Sequence, residues 1–150
     1  MADKVQFELV SPEKLLLSVA VEMVVVPGAE GHFGVLPGHA LFISSVQPGV
    51  IDVYVGGQVT ERLFVSGGFA EVTPERCTVL ADEAMPLSAL DRGAAESELK
   101  SAEAEIASIE DRIGKMQGAE RDQAASELAA AASRRAGAQA KLTALGVSPH

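Results

Sequence analysis

The sequence predicts an α+β protein, in which an N-terminal antiparallel β-sandwich of about eight to ten strands precedes a C-terminal antiparallel α-helical hairpin. Three observations predict this class. Short Val-rich segments separated by Gly and Pro fill the first half of the chain. Apolar residues at alternating spacings of four and three fill the second half, as is typical of paired helices. The change of period falls at Pro86, so we expect two domains, residues 1–86 and 87–150.

The first half carries the turn signals of an all-β domain. Proline stiffens the backbone of a turn, and glycine adopts backbone angles that other residues avoid. The signals are Ser11-Pro12, Pro27-Gly28, Pro37-Gly38, Pro48-Gly49, Gly56-Gly57, Gly67-Gly68 and Thr73-Pro74. Their close spacing leaves room only for short strands, as in sandwiches and barrels.

Alternating apolar residues indicate which strand faces are buried. Successive side chains of a strand point to opposite faces, so a half-buried strand alternates apolar and polar residues. The expected buried faces are Val19, Val21, Met23 and Val25 in one strand, and Val59, Leu63 and Val65 in another, interrupted by the acidic Glu61.

A helix is expected to begin just after Pro86. Ser88 is the expected N-cap, because its hydroxyl can accept a hydrogen bond from a free backbone amide of the first turn. Asp91 follows three residues later, where a carboxylate interacts favourably with the helix dipole.

Two apolar seams predict the two helices. The first seam is Ala95, Leu99, Ala102, Ile106, Ile109, Ile113 and Met116. Gly118 lowers helix propensity after it, so we expect a short turn there and antiparallel packing. The second seam is Ala124, Leu128, Ala131, Ala138, Leu142 and Leu145, interrupted once by Arg135. Because alanine buries little apolar area, this hairpin is expected to be only marginally stable alone.

The composition argues against several classes of partner. The formal net charge of the 150 residues is -9, which repels phosphate backbones and anionic lipids. We therefore expect no nucleic-acid partner. No apolar run approaches the roughly 20 residues that span a bilayer, so no direct membrane insertion is expected. The single cysteine, Cys77, allows no intramolecular disulfide and fits a reducing cytosol.

No motif predicts an enzyme, a metal site or a cofactor. The glycine-rich run from Gly28 to Gly34 lacks the Lys-Ser or Lys-Thr that completes a phosphate-binding loop. His32 and His39 have no partner at metal-ligating spacing, and no cysteine pair accompanies them. A nucleophile elbow of the G-x-S-x-G kind does not occur.

Two blocks of ordered Gly, Pro and His residues resemble a known family. The first reads Val26-Pro27-Gly28-Ala29-Glu30-Gly31-His32-Phe33-Gly34-Val35-Leu36-Pro37-Gly38-His39-Ala40. The second reads Val65-Ser66-Gly67-Gly68-Phe69-Ala70-Glu71-Val72 and continues at Thr78-Val79-Leu80-Ala81-Asp82-Glu83-Ala84. Both closely resemble the epsilon subunits of bacterial F-type ATP synthases, called delta in mitochondria. The resemblance covers essentially the whole chain and implies a β-sandwich followed by a helical hairpin.

The resemblance implies a non-catalytic subunit of the central stalk, which couples rotation of the c-ring to the catalytic head through the gamma subunit. The implied location is peripheral, at the cytoplasmic face of the bacterial inner membrane. The residues implied in the c-ring contact are Glu30, Gly31, His32 and Phe33, and those implied in the gamma contact are His39 and Ala40. A simple β-hairpin explains the glycines of this loop but not an exposed His-Phe pair.

His32 adds an expectation of its own. Members of the family commonly carry an acidic or polar group at this position. Histidine is the side chain that changes charge near neutral pH, so a ring contact made by His32 is expected to depend on pH.

In many bacterial relatives the hairpin leaves the sandwich, extends along gamma and blocks ATP hydrolysis at the alpha/beta head through basic residues of its second helix. Arg134, Arg135 and Lys141 are the matching residues of this chain. The alternative is that these charges form the solvated face of a helix, which is the usual role of a charge run.

Some relatives bind ATP on the folded hairpin through an Ile/Leu-Asp-x-x-Arg-Ala motif. The matching stretch reads Leu90-Asp91-Arg92-Gly93-Ala94-Ala95. Asp91 matches, but Ala94 stands at the arginine position and Arg92 lies on a different helix face. Asp91 and Arg92 are therefore the nucleotide-site candidates, and the missing arginine argues against ATP binding.

Two other functions remain open at this point. A free-standing β-sandwich could bind a peptide or small ligand and use the hairpin as a dimerisation arm, which a stable monomer without affinity for gamma would favour. An enzyme with an unrecognised site would show turnover by the isolated chain, but no coherent set of polar residues favours it.

Overall fold

The computed structural model describes residues 4–146, which form two compact units that divide between Ala89 and Leu90. The domain boundary predicted at Pro86 therefore lies three residues before this division. The ends of the predicted domains, residues 1–3 and 147–150, lie outside the described residues.

The first unit is a single ten-stranded sheet rolled around one core. The strands are β1 (Val5–Val10), β2 (Leu15–Val21), β3 (Met23–Gly28), β4 (Gly31–Val35), β5 (Phe42–Val46), β6 (Gly49–Val55), β7 (Gln58–Val65), β8 (Gly68–Val72), β9 (Arg76–Ala81) and β10 (Ala84–Pro86). Their order across the sheet is β10-β7-β6-β3-β5-β8-β9-β1-β2, and β4 pairs with β3. The predicted sandwich of about eight to ten strands is thus confirmed.

One strand pair departs from the antiparallel expectation. β1 and β9 are parallel, with Phe7 opposite Cys77 and Leu9 opposite Val79. These four side chains are buried, so the pairing places the inward faces of two strands on the core together. The strands are distant in sequence and need no tight turn, which is the condition under which parallel pairing is possible.

The predicted buried face of Val19, Val21, Met23 and Val25 is wrong in its second half. The strand ends at Val21, and Glu22 stands between β2 and β3. The Glu22 backbone amide donates to the Tyr54 carbonyl oxygen at 3.0 Å. This single extra residue reverses the alternation, so the core receives Val24 and Val26 instead of Met23 and Val25.

The second predicted face, beginning at Val59, is also only partly correct. Leu63 and Val65 are buried, but Val59 is 41% exposed. The β6–β7 register shifts between Val53 and Tyr54, which pair with Glu61 and Val59. Thr60 is thereby an extra residue in β7, and the resulting bulge turns Val59 to the opposite side of the sheet.

The second unit is the predicted helical hairpin, formed by α1 (Arg92–Ile113) and α2 (Gly118–Ala144). The buried residues are Ala95, Ala102, Ile106 and Ile109 in α1, and Ala124, Ala131, Ala138 and Leu142 in α2. All of them belong to the two predicted seams, which are confirmed. Gly118 has φ of +62°, a left-handed conformation that glycine adopts without strain, and this explains the position of the turn.

The predicted N-cap at Ser88 is wrong. Ser88 lies in a short 3-10 turn, Leu87–Ala89, and the cap of α1 is Asp91. An Asp91 carboxylate oxygen accepts a hydrogen bond from the Ala94 backbone amide at 3.2 Å. A carboxylate at this position satisfies a free amide and also interacts with the helix dipole, so Asp91 serves both purposes that the prediction divided between two residues.

Candidate protein contact sites

A tight hairpin between β3 and β4 forms the first candidate site. Gly28 pairs with Gly31 across the hairpin, which leaves Ala29 and Glu30 as its tip. A Cβ atom added to Gly28 would lie 2.8 Å from the ring of Phe33 and 2.9 Å from the carbonyl oxygen of Gly31. Gly31 has φ of +125°. Both glycines are therefore required for this close turn.

The tip is fixed to the neighbouring part of the sheet by hydrogen bonds. The Ala29 backbone amide donates to the Ser45 carbonyl oxygen at 3.0 Å. The Gln47 side-chain amide donates to the Ala29 carbonyl oxygen at 2.6 Å, and the Gln47 backbone amide donates to the Pro27 carbonyl oxygen at 2.8 Å. These bonds fix the backbone of the tip.

The expectation of an exposed His-Phe pair is correct for His32 only. Glu30 and His32 are exposed, but Phe33 is partly buried and packs against the core. Its ring meets that of Phe42 edge to face, with 5.2 Å between centroids. An open groove of about 470 Å³ is lined by residues 28–33 and 42–45. The polar side chains available to a partner at the tip are thus those of Glu30 and His32.

The second candidate site is the loop between β4 and β5, which carries His39 and Ala40. The Gly38 backbone amide donates to the Pro74 carbonyl oxygen at 2.7 Å, and the His39 amide donates to the Leu36 carbonyl oxygen at 3.1 Å. The His39 ring nitrogen Nδ1 lies 2.8 Å from the Ala40 carbonyl oxygen. His39 is half-buried and Ala40 is exposed.

Phe42 connects the two candidate sites, a feature that sequence reasoning missed. Its ring centroid lies 5.2 Å from that of Phe33 and 6.2 Å from that of His39. An aromatic chain therefore runs from the β3–β4 hairpin to the loop of His39. Phe33 and Phe42 lie on either side of the loop between β4 and β5, and no periodic pattern in the sequence indicates that their rings meet.

An exposed apolar patch next to His39 was also missed. Leu41 is 77% exposed and Ile43 is 73% exposed. Leu36 of the same loop is also exposed. The run Leu41-Phe42-Ile43 was a usable signal, because alternation along a strand forces part of a continuous apolar run to face solvent.

A further row of exposed apolar residues crosses the outer face of the sheet. In successive strands Phe69 pairs with Leu80, Leu80 with Val10, and Val10 with Leu15. Phe69, Leu80 and Leu15 are exposed. Beside this row, Arg76 forms an ion pair with Glu8 at 3.2 Å. Exposed apolar surface rimmed by polar groups is typical of protein contact sites.

The third candidate site is the basic set on α2. Arg134 forms an ion pair with Glu105 of α1, and Lys141 forms one with Glu98 of α1, with 3.3 Å between Nζ and Oε2. Arg135 is half-buried at the interruption of the seam and forms no ion pair within residues 4–146. Arg134 and Lys141 therefore join the helices of the hairpin rather than standing free.

The nucleotide-site candidates both have structural partners. The Asp91 carboxylate caps α1, and the Arg92 guanidinium pairs with Glu96 one turn later at 3.0 Å. The two side chains therefore do not form a phosphate-binding arrangement with each other.

Cys77 is a free cysteine buried in the core of the sandwich. Burial raises the pKa of the Cys77 thiol to about 12, so it remains a neutral, inert thiol at physiological pH. Among residues 4–146, no group of His, Cys, Asp and Glu is arranged to hold a metal ion. In the same part of the chain, neither helix combines the length and the hydropathy that a membrane span requires.

Comparison with known proteins matches residues 4–87 to the family model for the ATP synthase, Delta/Epsilon chain, beta-sandwich domain. An ATP synthase epsilon chain of Rhodospirillum rubrum is 59% identical over 102 residues, covering 68% of this chain and 76% of that protein. One from Rhodospirillum centenum is 64% identical over 104 residues, covering 66% and 71%. A chain in the structure of the Euglena gracilis mitochondrial ATP synthase superposes with a TM-score of 0.64 at 25% identity, covering 93% of this chain and 81% of that one.

Proposed function

The chain belongs to the delta/epsilon family of ATP synthase subunits, and from this membership we propose that its sandwich carries rotation from the c-ring to the gamma subunit. It is a central-stalk subunit of an F-type ATP synthase and an accessory chain of that complex. Family membership removes the alternative of a free-standing ligand-binding module with a dimerisation arm. The specific contacts and the role of each unit are our proposal.

The c-ring contact is proposed at Glu30, Gly31, His32 and Phe33. A contact that transmits torque must not yield under load, and the hydrogen bonds of Ala29 and Gln47 hold this tip in place. Exposed Glu30 and His32 offer polar groups to the ring's loops. Phe33 packs inward and supports the tip from behind.

The gamma contact is proposed at His39, Ala40 and the adjacent apolar patch. Leu41 and Ile43 supply exposed apolar area, and burial of such area contributes roughly 25 cal/mol per Å². The observation that carries the proposal is the position of Phe42, whose ring lies between Phe33 and His39. The two proposed contacts are thereby linked by a row of neighbouring aromatic rings.

We infer that the chain itself catalyses no reaction and that it lies peripherally, on the cytoplasmic face of a bacterial inner membrane. The neutral thiol of Cys77 is no nucleophile. Asp91 and Arg92 are engaged in a helix cap and an ion pair, which supports a hairpin without an ATP site. These points support an accessory role.

The helical unit is proposed to inhibit ATP hydrolysis through Arg134, Arg135 and Lys141 when the hairpin extends toward the catalytic head. The thin, alanine-rich interior supports this proposal, because little apolar burial opposes opening of the hairpin. A purely structural, solvated helix face is the competing interpretation.

The gamma contact is tested by placing a charge on the patch. Ile43→Glu is expected to weaken binding of purified gamma about tenfold or more, since buried contacts at an interface centre carry most of its energy. Val59→Glu is the matched control, because Val59 is also an exposed aliphatic residue of a strand. Titration calorimetry measures both affinities, and an equal effect of the two substitutions would contradict the proposed contact.

A further inference from the structure

The two ion pairs of the hairpin follow one register. Glu98 and Glu105 are seven residues apart on α1, and their partners Lys141 and Arg134 are seven residues apart on α2. Residues seven apart lie on the same face of a helix. The acidic side chains of one face of α1 are therefore matched to the basic side chains of one face of α2.

The charge arrangement changes sign at the turn end of the hairpin. One further step of seven residues leads from Glu105 to Arg112 on α1 and from Arg134 to Glu127 on α2, and these two residues line one groove. Arg121 of α2 also lies at this end and donates to the Ile113 carbonyl oxygen at 3.4 Å. The cations that face carboxylates of α1, Arg134 and Lys141, thus lie in the half of α2 away from the turn.

The two ion pairs contribute a larger share of the stability of the hairpin than they would in a well-packed protein. Exposed ion pairs contribute little by themselves, because water and salt screen them. The interior of the hairpin is mostly alanine, so the apolar term that usually dominates is small. Lys141 is also largely covered, with 15% of its side chain exposed, which reduces the screening of its charge.

We propose that Glu98 and Glu105 compete with the catalytic head for Lys141 and Arg134, and so keep the hairpin closed and its cations masked. The proposal rests on the proposed inhibitory function and adds how that function is controlled. A cation that pairs with a carboxylate of α1 must exchange it for an acidic group of the partner when the hairpin extends. Removal of the two carboxylate charges therefore favours the open, inhibitory form.

The test uses the full chain with the substitutions Glu98→Gln and Glu105→Gln together. Hydrogen exchange of the α1 and α2 amides is expected to become about three- to tenfold faster, with no change in the strands. In a hydrolysis assay with the purified catalytic head complex, the half-inhibitory concentration is expected to fall by a similar factor. Hydrogen exchange and inhibition are both measured at low salt, where the ion pairs are screened least and the effect is largest.

A matched control removes the same charge from the same helix. Glu103 and Glu110 are exposed on α1 and form no ion pair within residues 4–146. Glu103→Gln with Glu110→Gln is expected to leave exchange and inhibition within about twofold of the unaltered chain, as surface substitutions usually do. An effect equal to that of the first double variant would overturn the proposal, because net charge alone would then explain it.

Two further outcomes separate this inference from the function on which it rests. Unchanged hydrogen exchange in the Glu98→Gln, Glu105→Gln chain would overturn the inference, and so would faster exchange without stronger inhibition. A chain with Arg134→Gln and Lys141→Gln tests the inhibitory role itself. If that chain inhibits hydrolysis as strongly as the unaltered one, the proposed inhibition fails as well.

Discussion

The two units of the chain differ in what fills their interiors. The sandwich buries large side chains such as Phe7, Leu9 and Ile51, each of which contributes roughly 1.5–3 kcal/mol when removed from water. Five of the eight buried residues of the helices are alanines: Ala95, Ala102, Ala124, Ala131 and Ala138. The sandwich is suited to carry load without yielding, and the hairpin is suited to open.

The largest expected effect tests the sandwich side of this comparison. Phe7 is fully buried in the core, and Phe7→Ala is expected to lower the free energy of unfolding by about 3–5 kcal/mol, as for other buried aromatic residues. Urea unfolding followed by circular dichroism measures it. Phe69→Ala makes the same change at an exposed position and is expected to cost under about 1 kcal/mol. Equal losses of unfolding free energy for the two substitutions would contradict a strongly stabilising core.

The next effect tests the hairpin. Ile109 is one of its few large, fully buried side chains, and truncation of such a residue costs about 2–5 kcal/mol. Because the hairpin has little stability in reserve, Ile109→Ala is expected to unfold the helices alone. Hydrogen exchange should then reach the unfolded rate in α1 and α2 but stay slow in the strands.

The exposed neighbour Ser108 provides the control for this prediction. Ser108→Ala is expected to leave helical exchange almost unchanged, since its side chain is on the solvent face. If Ile109→Ala instead accelerated exchange in the strands as much as in the helices, the two units would not differ in stability as argued.

A smaller effect in the opposite direction would sharpen the comparison. Gly137 lies within α2, and a Cβ atom added there meets nothing within 4 Å. Gly137→Ala is therefore expected to stabilise the helix by about 0.8–1 kcal/mol. Slower exchange of the α2 amides would record this. Unchanged or faster exchange would mean that the helix is not limited by its intrinsic propensity.

The smallest expected effect concerns the sandwich tip. Exposed His32 is proposed to contact polar loops of the c-ring. His32→Ala is expected to weaken ring affinity about two- to fivefold, as removal of one exposed polar contact at an interface usually does. His39→Ala, outside the proposed ring contact, is expected to leave ring affinity unchanged. Equal ring affinity of the His32→Ala chain and the unaltered chain would contradict this prediction.

Local patterns account for what could be predicted from the sequence. The strands, the turn at Gly118 and both helical seams depend on spacing within a few residues, and each was found where the pattern indicated. The two strand faces that were predicted wrongly each depend on one extra residue. Glu22 and Thr60 each reverse the alternation of a strand, and a window that averages over several residues does not detect such a step.

Long-range pairing accounts for the rest. The parallel alignment of β1 with β9 arises only when distant strands meet, and the approach of Phe33, Phe42 and His39 depends on how the loop between β4 and β5 folds back. The Glu98–Lys141 pair likewise depends on the register between two helices. The contact residues predicted at Glu30, His32, His39 and Ala40 came from family resemblance, because exposed polar residues carry no periodic signal of their own.

The division of labour between the units is tested most directly by removing one of them. Full-length chain and a chain ending at Ala89, the boundary of the sandwich unit, are compared for binding to purified gamma and for suppression of ATP hydrolysis by the catalytic head complex. We predict that both chains bind gamma with similar affinity and that only the full-length chain suppresses hydrolysis. Failure of the shorter chain to bind gamma, or equal suppression by both, would contradict the account.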